Sequence, residues 1–116
     1  MLTIQSTHNI STTVLTLFGY LNTDTADDLG YQVFLFLDEG HEQLLIDLSG
    51  VKHLDIHGVM TLRGLIEVMA PKFYGATIKL VVPTHSSLWE TLLEYHIHEW
   101  ADVYPEARYA MESIFS

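Results

Sequence analysis

Hydrophobic and polar residues are distributed along the chain in a way that predicts five strands. Residues 13–18 (TVLTLF) are β-branched and partly alternating, which is typical of a strand, and residues 3–5 are predicted to pair with them. Residues 44–48 (LLIDL) form a short apolar run that indicates a central strand, and residues 77–82 (TIKLVV) indicate another. A last short strand is predicted at Val103–Tyr104.

Apolar residues at helical spacing predict two helices between the earlier strands. The first helix covers residues 23–37, is capped by Thr23 or Asp24 and ends at Gly40. The second begins near Asp55 and ends or kinks at Pro71. The residues predicted to face the core are Ala26, Leu29, Val33, Phe36 and Leu37 in the first helix, and Val59, Leu62, Leu65, Ile66 and Met69 in the second.

Two further helices complete the pattern. The third is predicted to be capped by Ser87, with Glu90 at the spacing of a capping box, and Pro105 suits the first turn of a final helix ending near Phe115. The resulting order β-β-α-β-α-β-α-β-α predicts an α/β fold with a mixed, mostly parallel sheet of four or five strands and about four helices. The length of 116 residues predicts one domain, residues 1–116.

Two loops, residues 20–24 and 51–58, each follow a strand and precede a helix. Right-handed crossovers bring the ends of parallel strands to one edge of the sheet, so we expect these loops to lie near each other. Asp55 is predicted to cap the second helix, because an aspartate at this position accepts hydrogen bonds from the first-turn N–H groups.

Two apolar patches are predicted on helix faces that point away from the core. Ile56 stacks over Met60 at i,i+4 spacing, and Gly64 continues that face and permits close approach by another molecule. A covering loop, or isolated exposed residues, would be the alternative explanation. Tyr31 and Leu35 of the first helix form a second patch, either for a homodimer or for packing under a terminal segment.

Composition narrows the possible partners. Fifteen acidic residues against five basic ones give a net charge of −10, and no cluster of Lys or Arg occurs. Binding to nucleic acid or to an anionic membrane surface is therefore not expected. The chain has no cysteine, no secretory signal and no apolar run long enough to enter a membrane. We expect a soluble, cytoplasmic protein.

Candidate chemistry is sparse. His53, Asp55 and His57 alternate as H-x-D-x-H, and two imidazoles with a carboxylate can bind zinc or iron. Alternating residues converge only on a continuous strand, whereas here a strand ends and a helix begins. We therefore predict no metal site and no cofactor. No serine is paired with a base in a known motif and no glycine-rich phosphate loop occurs, so an enzyme is not expected.

Three segments in order, GYLNTDTADDL, LLIDLSGVKHLDIHGVMTL and IKLVVPTHSSLWETLLEYHI, resemble the STAS domain family, which is named for sulphate transporters and anti-sigma-factor antagonists. The resemblance covers nearly the whole chain and implies a partner-switching protein-binding module that contacts an anti-sigma factor or related kinase in signal transduction and transcription regulation. In such relatives the hydroxyl residue after the helix-start aspartate is phosphorylated, and the phosphate breaks the complex.

The chain departs from that pattern at the modified residue. Ile56 occupies the acceptor position and has no oxygen to phosphorylate, His57 occupies the second hydroxyl position, and Asn22 replaces an aspartate in the first loop. We therefore predict binding without phosphorylation at this position. An accessory subunit or scaffold of a transport or signalling complex, or a small-ligand sensor, is the alternative. The predicted partner-binding residues are Asn22, Thr23, Asp55, Ile56, His57, Gly58, Met60 and Gly64.

Overall fold

The computed structural model describes residues 1–9 and 12–115. Over these residues, strands and α-helices follow the predicted order. The strands are β1 (Leu2–Asn9), β2 (Thr12–Leu21), β3 (Gln43–Leu54), β4 (Thr77–Val81) and β5 (Val103–Tyr104). The α-helices are α1 (Ala26–Asp38), α2 (Ile56–Gly64), α3 (Ser87–Glu94) and α4 (Ala107–Phe115). A π-helical segment, Leu65–Met69, and 3₁₀ turns at Ala70–Lys72 and Ile97–Glu99 complete the assignment.

The strands form one sheet in the spatial order β1-β2-β3-β4-β5. β1 is antiparallel to β2, and every other neighbouring pair is parallel. This mixed α/β architecture confirms the predicted fold class. Because β2 and β3 run in the same direction and end together, with Leu21 opposite Leu54, the loops that follow them open on the same side of the molecule.

Helices cover both faces of the sheet. Leu44 and Ile46 belong to the main core, which contains the apolar stripes of α1 and α2, whereas Leu45 packs with Val81 and Ala110 in a second cluster under α4. Successive strand residues point to opposite faces of the sheet, and both faces of β3 are covered. Residues 44–48 are therefore apolar almost throughout. Of the ten predicted stripe residues, all are buried except the partly buried Phe36, Ile66 and Met69.

The predicted start of the first helix, residue 23, is wrong by three residues, and the predicted caps Thr23 and Asp24 lie in the preceding turn. Asn22 Oδ1 accepts a hydrogen bond from the Asp24 N–H at 3.0 Å, which holds the chain in a turn where a helix was expected. Thr25 occupies the cap position, but its hydroxyl donates to the Tyr20 carbonyl at 2.7 Å instead of capping the helix. The helix therefore begins only at Ala26.

The predicted cap of the third helix is also wrong, because Ser86 and not Ser87 takes that role. The Ser86 hydroxyl donates to the Pro83 carbonyl at 2.7 Å and accepts from the Trp89 N–H at 3.2 Å. A single side chain thus satisfies two backbone groups, and Trp89 occupies the position predicted for Glu90.

β3 is longer than predicted, because it continues past Leu48 to Leu54. Pairing with β2 resumes at Gly50, opposite Phe18, after a register shift. A Cβ atom at Gly50 would lie 2.5 Å from Phe18 Cδ1, so the aromatic ring covers the glycine. Ser49 and Gly50 look like a strand end in the sequence, but here they form an irregularity inside a strand.

Candidate functional site

The two loops predicted to be neighbours meet directly. Leu21 and Leu54 are the last paired residues of β2 and β3, and the Asp55 N–H donates to the Leu21 carbonyl at 3.3 Å. We call the surface built here the α2 corner: the loop at residues 22–25, the turn at residues 55–58 and the first two turns of α2. The expectation that crossover topology brings these segments together is confirmed.

Asp55 is the N-cap of α2, as predicted. Its backbone is extended, with φ −105° and ψ −178°, and its Oδ1 accepts from the Gly58 N–H at 3.0 Å. This is the geometry in which an aspartate satisfies a donor that the helix itself leaves unpaired. The carboxylate is therefore part of the helix start.

Gly58 is fixed by the packing of α2 against the end of β2. A Cβ atom at this position would lie 2.5 Å from the Leu21 carbonyl oxygen and 2.7 Å from Leu54 Cδ1. No side chain fits without moving the backbone, so the glycine is explained inside the chain. The close packing at Gly58 also determines the positions of Ile56 and His57, which precede it in the same turn.

Ile56 and Met60 lie on the surface of the α2 corner. Their exposed fractions are 48% for Ile56 and 63% for Met60, so neither is covered by a loop in the described chain. An open depression adjoins Met60, with His57 also in its lining. Its lining residues are Thr23, Ala26, Asp27, His57, Met60 and Thr61. Three of the predicted binding residues, Thr23, His57 and Met60, therefore line one depression, whereas Gly58 is buried.

The loop at residues 22–25 is held by hydrogen bonds that the sequence analysis missed. Thr25 is buried, and its hydroxyl accepts from the Asn22 N–H at 3.0 Å while donating to the Tyr20 carbonyl. Asn22 directs its own side chain to the Asp24 N–H, as described above. The spacing Asn22-x-x-Thr25, with polar residues three apart, is the signal that indicates such a local network. Thr23 is left exposed at the tip.

Gly64 ends α2 in open surroundings. Apart from its chain neighbours and the backbone of its own helix, no heavy atom of the described chain lies within 4 Å of the position that its Cβ would occupy. Beside it, Arg63 Nε and Glu67 Oε2 form an exposed ion pair at 3.1 Å. The helix then widens into the π-helical segment Leu65–Met69, a distortion that often occurs at functional sites.

The histidines of the H-x-D-x-H pattern diverge. The His53 ring packs edge-on against Tyr20, with centroids 5.9 Å apart, while His57 lies at the depression beside Met60. Among residues 1–9 and 12–115, no three His, Asp or Glu side chains are placed to hold one metal ion.

The second predicted patch lies on α1. Tyr31 is 57% exposed, whereas Leu35 is half-buried. Tyr31 borders a groove that also contains Leu2 and Ile4 of β1. None of the helices in the described part of the chain combines the length and the apolar character required to span a bilayer.

Similarity to known proteins agrees with this architecture. The chain resembles an anti-sigma factor antagonist from Mycobacterium paratuberculosis, with TM-score 0.82 and 19% identity over 100% of this chain and 96% of the other. It also resembles a putative anti-sigma factor antagonist from Thermotoga maritima, with TM-score 0.84 and 19% identity over 97% and 95%. A third match is the anti-sigma factor antagonist SpoIIAA in its unphosphorylated form, with TM-score 0.70 and 14% identity over 98% and 99%.

At these identities the structural matches establish the fold. A search of curated protein sequences gave no match. The sequence model of the STAS domain covers residues 2–83, which is more than half of the chain and includes β1 to β4 with α1 and α2. The chain therefore belongs to the STAS domain family.

Proposed function

We propose that this chain is a non-catalytic, cytoplasmic binding domain, and that it holds a protein partner at the α2 corner in the manner of an anti-sigma-factor antagonist. The proposed contact residues are the predicted ones that are exposed or half-buried: Asn22, Thr23, Asp55, Ile56, His57, Met60 and Gly64. Gly58 is buried, so its predicted contact role is replaced by a role in positioning the turn. One observation carries the proposal: Ile56 and Met60 are exposed side by side on a corner whose shape is fixed by backbone contacts.

The chemistry of the corner supports a protein partner over a small ligand. Its depression is open, whereas small-molecule sites are usually enclosed clefts. Met60 is a flexible, polarisable side chain of the kind that adapts to a protein surface. Ile56 next to it adds apolar area that a partner can remove from water.

We further propose that binding at this corner is not switched by phosphorylation. Ile56 is the first residue of α2, at the position where the family resemblance places a modified hydroxyl. A phosphate adds nearly two negative charges to a contact surface and opposes burial there. With an isoleucine at this position, complex formation is governed by the amounts of the two proteins. Thr61, inside α2 and half-buried, is a poor substitute acceptor.

The contact surface is tested with Ile56→Asp, using Leu93→Asp as a matched control. Both are exposed aliphatic residues, at 48% and 41%, and Leu93 lies on α3 outside the proposed surface. An unpaired carboxylate in an apolar contact is costly to bury, so we expect Ile56→Asp to weaken a partner complex by at least about tenfold. Leu93→Asp should leave the dissociation constant within about twofold of the wild-type value. That change is well below the tenfold change to which about 1.4 kcal/mol corresponds.

The measurement begins with immobilised wild-type protein, Ile56→Asp and Leu93→Asp, each exposed to an extract of the source cells. Retained proteins are identified by mass spectrometry, and the dissociation constant of each purified candidate is then measured by calorimetry. Equal affinity of all three baits for every retained protein contradicts the proposed surface. Recovery of subunits of a membrane transport complex would favour the accessory-subunit alternative over an anti-sigma circuit.

The absence of a phosphorylation switch is tested separately. Wild-type protein and Ile56→Ser are incubated with the kinase recovered as partner, or with candidate kinases, and ATP. Intact-mass measurement should show one phosphate on Ile56→Ser and none on the wild type, because only the variant carries a hydroxyl at the helix start. Phosphate in the 55–61 segment of the wild type contradicts the proposal.

A further inference from the structure

β1 presents an unpaired edge eight residues long. One edge of the strand pairs with β2 from Leu2 to Asn9, and in the part of the chain that the structure describes no strand pairs with its other edge. The Tyr20 N–H donates to the Met1 carbonyl at 3.0 Å, in the register that places Leu2 opposite Gly19. Met1 and Tyr20 thus form a hydrogen-bonded pair, and such pairs alternate with non-hydrogen-bonded pairs along an antiparallel ladder. The backbone groups of Leu2, Ile4, Ser6 and His8 therefore point to the free edge.

The free edge carries none of the devices that usually prevent strand pairing. Such edges are normally protected by charged side chains, proline or a bulge. β1 contains no Asp, Glu, Lys, Arg or Pro, and its register with β2 has no shift. The first charged residue of the chain is Asp24, so all 20 charged side chains lie at or beyond that position.

Apolar surface adjoins this edge. Leu2 and Ile4 are half-buried against the main core and form one wall of a groove. Tyr31, on the neighbouring α1, is 57% exposed, and Asp28 and Gln32 complete the lining. Pairing at the edge would therefore be accompanied by burial of the aliphatic side chains and of the tyrosine ring, which contributes more than hydrogen bonds alone.

We infer that β1 pairs antiparallel with β1 of a second copy of this chain about a two-fold axis, which joins two five-stranded sheets into one. An antiparallel strand edge is self-complementary, because each outward N–H meets an outward carbonyl of the same residues in the other copy. The two Tyr31 side chains lie on the same side of the joined sheet, along the groove beside Leu2 and Ile4.

Charge limits the face at which a second copy can bind. Each chain carries a net charge of −10, so two copies repel each other at most orientations. At the β1 edge the two facing strands carry no charged side chain, and Asp28 is the acidic residue that lines the adjoining groove. A basic peptide would instead be attracted to the acidic remainder of the molecule.

The test uses Ser6→Pro, with Ser6→Ala as the matched control. The Ser6 N–H points away from β2, so proline removes a donor from the free edge and none from the β1–β2 pair. The lost hydrogen bonds occur twice in a two-fold pair, so the dimer dissociation constant should rise by about tenfold or more. Ser6→Ala keeps the N–H and should change that constant by less than about twofold.

Sedimentation equilibrium of the full chain measures the monomer–dimer constant, and circular dichroism verifies that each variant is folded. Rising salt should strengthen the wild-type dimer, because it screens repulsion between the two acidic bodies. Amide exchange adds a residue-level readout: the Ile4 and Ser6 N–H groups should be protected in the dimer and exchange freely in the monomer.

A second variant keeps the test decisive if proline disturbs folding. Gln5→Lys places a charge in the middle of the edge without changing a backbone donor. In the register that pairs Ile4 with Ser6 of the second copy, two such lysines oppose each other across the axis. Loss of the dimer in a folded Gln5→Lys or Ser6→Pro protein supports the inference. A wild-type chain that stays monomeric at millimolar concentration, or a dimer that neither folded variant weakens, overturns it.

Discussion

α2 has one glycine in its first turn, Gly58, and another in its last turn, Gly64, and the surroundings of the two differ. At Gly58, the chain itself leaves no room, because the Leu21 carbonyl oxygen occupies the space near a Cβ atom. At Gly64, no atom of the described chain beyond its chain neighbours and its own helix backbone lies within 4 Å of that position. Both residues have ordinary backbone angles, so neither glycine is needed for a left-handed conformation.

The contrast separates two reasons for a glycine in one helix. Gly58 is required for the fold, since any side chain would separate α2 from the end of β2. Gly64 lowers helix stability without improving packing within the chain, because glycine is unfavourable in a helix. No contact within the described chain explains it, and close approach by the proposed partner at the α2 corner would do so.

The largest effect is expected for Gly58→Ala. The methyl group would collide with backbone, which can relieve the overlap only by moving α2, and such overpacking costs about 3 kcal/mol. Urea unfolding followed by circular dichroism should show this loss in the free energy of unfolding. If Gly58→Ala unfolds at the same urea concentration as the wild type, the close contact with Leu21 is wrong, and so is the contrast between the two turns.

The next effect concerns the cap that holds the first turn. Asp55→Ala removes the acceptor of the Gly58 N–H and should lower the free energy of unfolding by about 1 kcal/mol. Asp55→Asn keeps a side-chain oxygen at the same place and should lower the free energy of unfolding by only a few tenths of about 1 kcal/mol. Equal losses for both variants in the same urea experiment would assign the role of Asp55 to its charge and not to the hydrogen bond.

A stabilising change is expected at the other end of the helix. Gly64→Ala should raise the free energy of unfolding by about 0.5–1 kcal/mol, because alanine favours the helix and meets no neighbouring atom. Gly30→Ala in α1 is the control, since its Cβ position is also open. Both variants should be stabilised, but only Gly64→Ala should weaken the partner complex. Unchanged partner affinity for Gly64→Ala would remove this glycine from the contact surface.

The smallest effect on stability is expected for Ile56→Asp. Ile56 is exposed and at the start of α2, where a negative charge interacts favourably with the helix dipole. Loss of its partial packing opposes that gain, so the free energy of unfolding should change by less than about 0.5 kcal/mol. Thermal unfolding of the variant checks this value. A larger loss would mean that reduced partner binding reflects damage to the fold.

The fold could be predicted from the sequence because its main signals are local. The apolar run at residues 44–48 and the stripes of α1 and α2 depend only on spacing along the chain, and the structure follows them. One error arises where two neighbouring serines compete for the same backbone groups. Ser86 replaces Ser87 as cap because it also reaches the Pro83 carbonyl, a contact that the capping pattern does not contain.

Prediction of the candidate site was more uneven. Helical spacing was sufficient to place Ile56 and Met60 together on an outer face, and both are exposed. The buried network of Thr25 and the contact between Gly58 and Leu21 were missed, because each depends on how β2 ends relative to the segments that follow. Whether these residues bind a partner stays a prediction.

The hydrogen bond from Asp55 to Leu21 has a thermodynamic consequence. It ties the end of β2 to the start of α2, so the loop and the turn of the α2 corner form a single preformed surface. A partner that docks there meets a rigid platform and loses little conformational entropy on this side of the complex. The heat-capacity change of binding should then follow the apolar area covered, without the additional contribution of a segment that folds upon association.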